Sequence, residues 1–349
     1  MKYLKSNFLV KCFIICFLLT VALFGQATKK DSIYVANWNL ENLFDIMKDS
    51  VKNDKDFLPG SPKRWNYERF EHKLNNLAKV INYMNDGCAP DIIAFEEVEN
   101  IYVVKKLIYT IKGSRDYIVC HRDSPDEHGL DVALIYDRNI FSIDSIAALH
   151  VELPDHHPTR DILHVVLIHK TNGEKFHFYV NHWPQKYADK VRSEKNFSAA
   201  AHVLRSSLDT LNQSAPNSNV IVLGDFNVDQ DNNSIVNILK ANVFNCKQDV
   251  FFQNELLNLS EKEFVWEKGT YLLNNKWMRF DQIMISISIL NNKNVKYDCS
   301  SFNIIKPPFM IDPKSKNEGA LPTYRGNKYI GGYSDHYPVA AKFYLKENK

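Results

Sequence analysis

The segment "YVANWNLENLFD" (residues 34–45) begins as an apolar strand and ends in polar side chains. Side chains of a strand alternate between its two faces, so Asn39 and Glu41 are expected on one face at the strand end. Burying an amide and a carboxylate costs about 2 kcal/mol or more each unless hydrogen bonds or a cation satisfy them. The sequence therefore predicts a functional site at this strand end.

Further apolar runs along the chain predict the partners of this strand. Several are hydrophobic almost throughout, which indicates strands covered on both faces. The predicted strands are 32–39, 91–98, 131–137, 162–170, 175–183, 219–227, 281–289 and 338–345. Helical spacing of apolar residues predicts helices at 64–85, 99–112, 190–212 and 233–241. This mixture, with a hairpin across "TNGE" between 162–170 and 175–183, predicts mixed sheets flanked by helices.

Polar side chains recur at the ends of these predicted strands. They are Asn39, Glu41, Glu96, Glu97, Asn181, His182, Asp225 and Asn227 at strand ends, Asp281 at a strand start, and Asp335 and His336 before the last strand. Oxygen ligands of this kind suit a hard divalent ion such as Mg²⁺, Mn²⁺ or Ca²⁺. Clustered cysteines and histidines are lacking, which argues against zinc. The set also suits in-line attack of water on phosphorus.

The N-terminal segment predicts export. Residues 1–27 have a basic start, an apolar stretch from Cys12 to Phe24, and small residues at Gly25 and Ala27. The stretch of about 13 residues is short against the roughly 20 of a membrane-spanning helix. We therefore expect a signal peptide, cleaved after Ala27, followed by a single domain over residues 28–349 without a linker.

Charge and cysteine content set limits on the exported chain. Loss of the three lysines in residues 1–27 changes the formal net charge from +2 to −1, which gives no global argument for nucleic acid binding. Four of the six cysteines remain, namely Cys88, Cys120, Cys246 and Cys299. They permit up to two disulfides in three pairings, and their sequence leaves the pairing open.

Six segments in this order resemble one family. "NWNLENLF", "IIAFEEVEN", "NHWP", "VLGDFN", "FDQIMIS" and "YSDHYPV" are similar to the motifs of the endonuclease/exonuclease/phosphatase superfamily, which has the deoxyribonuclease-I-like fold. The resemblance spans essentially all of the exported chain. It implies an α/β, four-layer sandwich of two packed mixed β-sheets flanked by helices. It also implies a divalent-metal-dependent phosphoester hydrolase.

The resemblance assigns roles residue by residue. Asn39 and Glu97 match the amide and glutamate of the metal site, with Glu41 and Asp335 as further metal-proximal carboxylates. Asp225 orients or deprotonates the attacking water, and Asn227 donates to the phosphoryl oxygens. His336 contacts the phosphate, Asp281 holds its other ring nitrogen, and His182 stabilises charge on the phosphate or leaving group. One departure is Glu96, where the family usually has glutamine; it either adds to metal binding or points into solvent.

Residues outside the motifs are weaker predictions. Arg160 and Asp131 are expected to line the cleft, Arg160 as a phosphate contact. An ion pair of Arg160 with Asp161 or another acid explains that arginine equally well. Asn181, next to His182, is predicted to contact the substrate.

The leading functional prediction is a secreted nuclease that hydrolyses nucleic-acid phosphodiesters by direct water attack, with no obligate protein partner. The alternative is a phosphatase or phosphodiesterase for a phospholipid head group or a sugar phosphate. A catalytically silent binding module is a third possibility, disfavoured because every expected catalytic position carries a competent residue. The long loop 303–336 bears on the choice. Phe309 and Met310 suit a membrane-contacting hairpin, whereas a basic cleft rim would comprise Lys306, Lys314, Lys316, Arg325 and Lys328.

Overall fold

The computed structural model describes residues 32–246, 255–260, 269–299 and 301–346, so the predicted signal peptide lies outside the described part. The strands are β1 (Ser32–Leu43), β2 (Ile92–Val98), β3 (Tyr117–His121), β4 (Asp131–Asp137), β5 (Phe141–Leu149), β6 (Ile162–His169), β7 (Lys175–His182), β8 (Asn219–Asp225), β9 (Ala241–Val243), β10 (Leu256–Asn258), β11 (Tyr271–Leu273), β12 (Lys276–Met278), β13 (Asp281–Ser286), β14 (Val295–Tyr297), β15 (Asn303–Ile304), β16 (Tyr324–Arg325), β17 (Lys328–Tyr329) and β18 (Val339–Leu345). The α-helices are α1 (Tyr67–Tyr83), α2 (Ile101–Thr110), α3 (Lys190–Ser214) and α4 (Ile287–Asn291). Short 3₁₀ helices cover Lys55–Phe57, Asn85–Gly87 and Pro308–Met310, and Ser234–Ile238 is a π-helix.

Fourteen of the strands form two seven-stranded mixed sheets, and β11 with β12 and β16 with β17 form two-stranded sheets. The first has the order β14-β18-β1-β2-β4-β3, with β15 also paired to β18, and the second has the order β5-β6-β7-β8-β13-β10-β9. β1 with β2 and β7 with β8 are parallel, whereas β6 with β7 and β8 with β13 are antiparallel. The predicted hairpin of residues 162–170 with 175–183 is confirmed.

The sheets pack face to face, and helices cover their outer faces. Val35 of the first sheet and Phe178 of the second belong to the core cluster between them. Leu74 of α1 packs in a second cluster on the outer face of the first sheet, and Phe197 of α3 in a third on the second sheet. Asn66 accepts a hydrogen bond from the Arg69 amide and caps α1 at its start. The predicted four-layer α/β sandwich is confirmed.

Several local features differ from the sequence predictions, among them β3, which was not predicted as a strand. β5 was missed because it has an exposed face and carries Ser, Ala and Asp, which strands seldom favour. The predicted strand 281–289 ends at Ser286, where α4 begins. The predicted helix 233–241 is reduced to the π-helix Ser234–Ile238.

One of the open cysteine pairings is resolved. Cys246 and Cys299 form a disulfide, whereas Cys88 and Cys120 are free thiols, the latter buried. Within the part of the chain that the structure describes, no helix has the length and apolar character needed to cross a membrane.

Candidate active site

The site lies where β1, β2, β7, β8 and β13 meet the loop before β18. Asn39, at zero exposure, connects two of these strands. Its Nδ2 donates to Glu97 Oε1 and to Asp225 Oδ2, each at 3.0 Å. The amide therefore joins both sheets at the base of the site.

His336 is held in a fixed orientation from several sides. Its Nδ1 lies 2.8 Å from Asp281 Oδ2. Its backbone carbonyl accepts from Trp38 Nε1 at 3.0 Å, and its ring stacks on Tyr271 with centroids 4.6 Å apart. Because Nδ1 is engaged, Nε2 is the nitrogen left toward the cluster, 3.9 Å from Asp225 Oδ2.

Asp225 and Asn227 are placed by the turn after β8. Asp225 Oδ1 accepts from the Asn227 amide at 2.8 Å, and Asn227 Nδ2 donates to the Trp183 carbonyl at 2.9 Å. Gly224 permits this arrangement because a Cβ there would lie 2.0 Å from the Asn181 carbonyl oxygen. The glycine of "VLGDFN" is thus required for the close approach of β7 and β8.

Backbone irregularities place the glutamates. Glu41, Glu97 and Asn227 have φ values of 53°, 58° and 54°, in the left-handed region. The β1–β2 register shifts between Asn39 and Leu43. Strand alternation was expected to place Asn39 and Glu41 on one face. That reasoning is wrong, because a bulge interrupts the alternation. Such conformations cost about 1–3 kcal/mol each and concentrate at functional sites.

Glu41 is engaged by protein groups within the site. Its carboxylate accepts from the Thr323 amide at 2.6 Å and from the Tyr324 amide at 3.3 Å. The Nζ of Lys73, a fully buried side chain, lies 3.7 Å from Glu41 Oε2. Burial lowers the pKa of Lys73 although Glu41 and Asp335 oppose that shift. A metal role for Glu41 stays a prediction, since its carboxylate already anchors the loop before β18.

The carboxylates of the site are crowded. Burial raises the pKa of Asp225 to about 6, with Asp281 adding to the shift and His336 opposing it. Burial and the neighbouring Glu41 raise the pKa of Asp335 to about 8. Burial, then Asp281 and Asp225, hold the pKa of Glu96 well above its ordinary value. Glu96 is fully buried and accepts from Asn37 Nδ2 at 3.3 Å, so the solvent-facing alternative is wrong.

The two histidines have opposite electrostatics. Burial opposes the charged form of His336, but Asp281 and Asp225 outweigh it and hold the pKa of His336 well above its ordinary value. Burial, with Arg160 and His336, holds the pKa of His182 well below its ordinary value. His182 Nε2 lies 3.8 Å from Asp225 Oδ2 and 4.0 Å from Glu97 Oε1. The surroundings therefore favour the protonated form of His336 and the neutral form of His182.

The residues present fit a divalent cation. Glu96 Oε1 and Asp281 Oδ1 are buried and have no hydrogen-bond partner among the described residues. Ligand atoms of Asp225, Asp281 and His336 lie within 4.8 Å of one another. Raised carboxylate pKa values and unpartnered oxygens both indicate a shortage of positive charge, which a cation would supply.

The three weaker predictions lie around this cluster. Arg160 donates to the Trp183 carbonyl at 2.7 Å and to Asp126 Oδ2 at 3.3 Å, so its ion-pair partner is Asp126 and not Asp161. Asp131 accepts from the Ser124 amide at 2.9 Å and lies 3.0 Å from His121 Nε2. Asn181 donates to the Tyr179 carbonyl at 3.0 Å and accepts from Trp183 Nε1 at 3.2 Å. Substrate contact by these residues stays a prediction.

Sequence reasoning missed several supporting residues. Lys73 is one of many lysines in a helical pattern, and no local signal marks it as buried. Ser334 donates to the Asn39 carbonyl at 2.7 Å and accepts from the His336 amide at 3.0 Å. Its place in "YSDH" is the signal that would have found it.

Comparisons with known proteins show the family and the fold of the chain. A profile of the Endonuclease/Exonuclease/phosphatase family matches residues 34–346. A search of curated protein sequences found no match. An endonuclease/exonuclease/phosphatase family protein from Bacteroides thetaiotaomicron is 17% identical, with 91% of this chain and 99% of that chain covered and a TM-score of 0.55.

Two further solved structures have the same fold. The human Nocturnin catalytic domain, with a bound sulfate anion, is 17% identical over 91% of this chain and 98% of its own, with a TM-score of 0.53. A mannosyl-6-phosphatase of Bacteroides thetaiotaomicron is 16% identical over 89% of this chain and 99% of its own, with a TM-score of 0.54. With the profile matched over nearly all of the described residues, the chain belongs to the endonuclease/exonuclease/phosphatase family.

Proposed function

We propose that the chain is a divalent-metal-dependent phosphoester hydrolase that uses direct attack by water. The observation that carries the proposal is the convergence of Asn39, Glu97, Asp225 and His336 from both sheets on one buried cluster. A covalent intermediate is not required, since the cluster supplies groups that hold water and phosphate oxygens.

Each residue has a role that follows from its position. Asp225 accepts hydrogen bonds from the attacking water and takes up its proton. His336, oriented by Asp281, donates from Nε2 to the phosphate, and Asn227 donates to the phosphoryl oxygens. His182, neutral at ordinary pH, donates a hydrogen bond to the phosphate or leaving group.

Asn39, Glu97 and Asp335 would hold the metal ion. A bound Mg²⁺ or Mn²⁺ would polarise the phosphoryl oxygens and offset their developing charge. The raised pKa of Asp335 and the unpartnered oxygens of the neighbouring Glu96 and Asp281 support its presence.

Residues of the long loop 303–336 argue against one substrate class and give limited support to another. Phe309 packs against Tyr83 and Tyr333, and Met310 is fully buried, so neither supports the membrane-contacting hairpin of a lipid enzyme. Two members of the predicted basic rim are engaged: Lys306 lies over Trp277, and Arg325 pairs with Asp312.

Nucleic acid and small phosphate esters are the two candidate substrates. Exposed Lys314, Lys316 and Lys328 favour nucleic acid. A polar pocket beside the site favours a small phosphate ester.

We also propose that the chain is exported. The signal-like residues 1–27 support this, as does the Cys246–Cys299 disulfide, since such bonds persist mainly in oxidising compartments.

The test is hydrolysis of bis(p-nitrophenyl) phosphate, p-nitrophenyl phosphate and supercoiled plasmid by the chain from residue 28, with Mg²⁺, Mn²⁺ or a chelator. His336→Ala is compared with His150→Ala, a matched change at an exposed histidine. Metal-dependent hydrolysis that only His336→Ala abolishes is expected. Hydrolysis that persists in the chelator or in His336→Ala would contradict the proposal.

A further inference from the structure

A pocket of about 330 Å³ opens beside the candidate active site. Four loops and the end of β1 form its walls, within residues 53–63, 126–130, 153–160 and 184–187. Its volume is at the lower end of the roughly 300–1,000 Å³ that small-molecule pockets occupy. The pocket therefore fits one small organic group and not an extended chain.

Two contacts connect the pocket to the catalytic cluster. Asn42, in its wall, donates its amide to Glu97 Oε2 at 2.9 Å. Arg160, also in its wall, donates Nη2 to the Trp183 carbonyl, the same oxygen that accepts Asn227 Nδ2. A phosphate held by Asn227 and the cluster would thus have its esterified group next to the pocket.

Arg160 carries a donor that the protein does not satisfy. Its side chain is only 10% exposed, and its Nη1 is committed to Asp126 at 3.3 Å. Its Nε is buried and has no hydrogen-bond partner in the described part of the chain. Because Nε has almost no accessible surface, Arg160 does not reach a ligand through this atom; Asp126 and the Trp183 carbonyl fix it as a rigid part of the wall.

The walls combine hydrogen-bonding groups with aromatic rings. Asn53 and His157 provide amide and imidazole groups, and Phe57 and Tyr187 provide ring surfaces. A few polar groups beside aromatic surface suit a compact ring that carries hydroxyl groups.

The charges argue against a second phosphate. Asp56 and Glu127 contribute carboxylates, and Lys63 contributes an ammonium group. Arg160 is already neutralised by Asp126. Chains of nucleic acid are bound by surfaces with an excess of positive charge, which these walls lack.

We propose that the pocket holds the leaving group of the substrate and that this group is a single uncharged, polyhydroxylated ring, as in a sugar phosphate. The inference rests on the proposed function and deepens it. The substrate is then a phosphate monoester. Water attack at phosphorus forms one P–O bond and breaks the bond between phosphorus and the sugar oxygen. One water is consumed overall: its OH stays on phosphorus, which leaves as inorganic phosphate, and the proton taken up by Asp225 is balanced by one gained by the sugar oxygen, which leaves as the free hydroxyl.

The experiment compares a panel of aldohexose 1-phosphates and 6-phosphates with ethyl phosphate, whose alkyl group is too small to fill the pocket, and with a short single-stranded oligonucleotide. Gln185→Trp narrows the pocket from an exposed wall position. Gln213→Trp makes the same change at an exposed position of α3 outside the pocket. Phosphate release or strand cleavage gives kcat and KM for each substrate, with Asp225→Asn as the inactive reference.

We expect at least one hexose phosphate to exceed ethyl phosphate in kcat/KM by about tenfold or more. Gln185→Trp should raise the KM for that hexose phosphate about tenfold and change the KM for ethyl phosphate by no more than about twofold. Gln213→Trp should change neither KM. Asp225-dependent hydrolysis with no hexose phosphate preferred, or with the oligonucleotide preferred, would overturn the pocket assignment alone. An equal effect of Gln185→Trp on both monoesters would do the same. No hydrolysis of any substrate would overturn the proposed function and the pocket assignment together.

Discussion

Two groups of buried carboxylates lie at opposite ends of the strands β2 and β4, and they are built differently. At one end, Asp91 and Asp137 share Arg115. At the other end, Glu96 and Glu97 finish β2 beside Asp225, Asp281 and Asp335.

The difference lies in how completely the oxygens are partnered. Asp91 Oδ2 accepts from the Tyr34 amide at 2.6 Å, and Asp137 Oδ1 accepts from the Asn139 amide at 3.0 Å. At the site end, by contrast, Glu96 Oε1 and Asp281 Oδ1 have no partner among the described residues. The first group is satisfied within the fold, whereas the second retains binding capacity for something outside the chain.

The largest expected effect is at the site end. Asp225→Asn should lower kcat/KM by about a thousandfold, since it removes the group that accepts the proton of water. Stability should be unchanged or higher, because an ionised buried carboxylate is removed. Steady-state kinetics measures the change in kcat/KM, and thermal unfolding of the same preparation measures the change in stability. A large loss of stability with Asp225→Asn would end the contrast between the two groups.

The next effect is at the opposite end. Arg115→Met should lower the free energy of unfolding by about 3 kcal/mol, because it leaves Asp91 buried without its cation. Activity should be retained, since Arg115 pairs with Asp91 and Asp137 at the end of β2 and β4 opposite the site. Urea unfolding measures the change. Arg138→Met, at an exposed pair with Asp116, is the control and should cost under about 1 kcal/mol.

A third prediction concerns metal binding without catalysis. Mg²⁺ or Mn²⁺ at about ten times its dissociation constant should stabilise the chain by about 1.4 kcal/mol. Glu97→Gln should abolish this shift in the thermal unfolding midpoint, and Arg115→Met should preserve it. An equal shift in both variants would show that the metal binds elsewhere.

The smallest effect concerns pH. Burial raises the pKa of Asp91 to about 6, while Arg115 opposes the shift. A carboxyl whose folded pKa is raised contributes stability at low pH and loses it as the pH rises through about 6. Arg115 offsets that loss only when Asp91 is ionised. The cost of Arg115→Met should therefore be smaller at about pH 5 than at pH 7.5, by about 1 kcal/mol. Urea titrations at both pH values test this, and a constant cost would exclude Asp91 as the cause.

Much of the fold was predictable because its strands are buried on both faces and read as continuous apolar runs. β5, an edge strand with one exposed face, carries no such signal. The order of the six motifs identified the members of the site. The motifs could not predict the left-handed backbone at Glu97 or the hydrogen bond from the Thr323 amide to the Glu41 carboxylate. Both depend on how segments distant in sequence meet. The side pocket was missed for the same reason, since it is formed by loops.

The contacts of Lys73 determine when the site can form during synthesis of the chain. Its ammonium group contacts the Glu41 carbonyl, the Thr323 hydroxyl and the Tyr333 carbonyl, which are 32, 250 and 260 residues away in sequence. During synthesis the ribosome releases Lys73 and Glu41 long before Thr323 and Tyr333. The nascent chain must keep this charge in water until Thr323 and Tyr333 emerge. The site therefore cannot be completed before these residues emerge, and a chain stalled before residue 323 cannot assemble it.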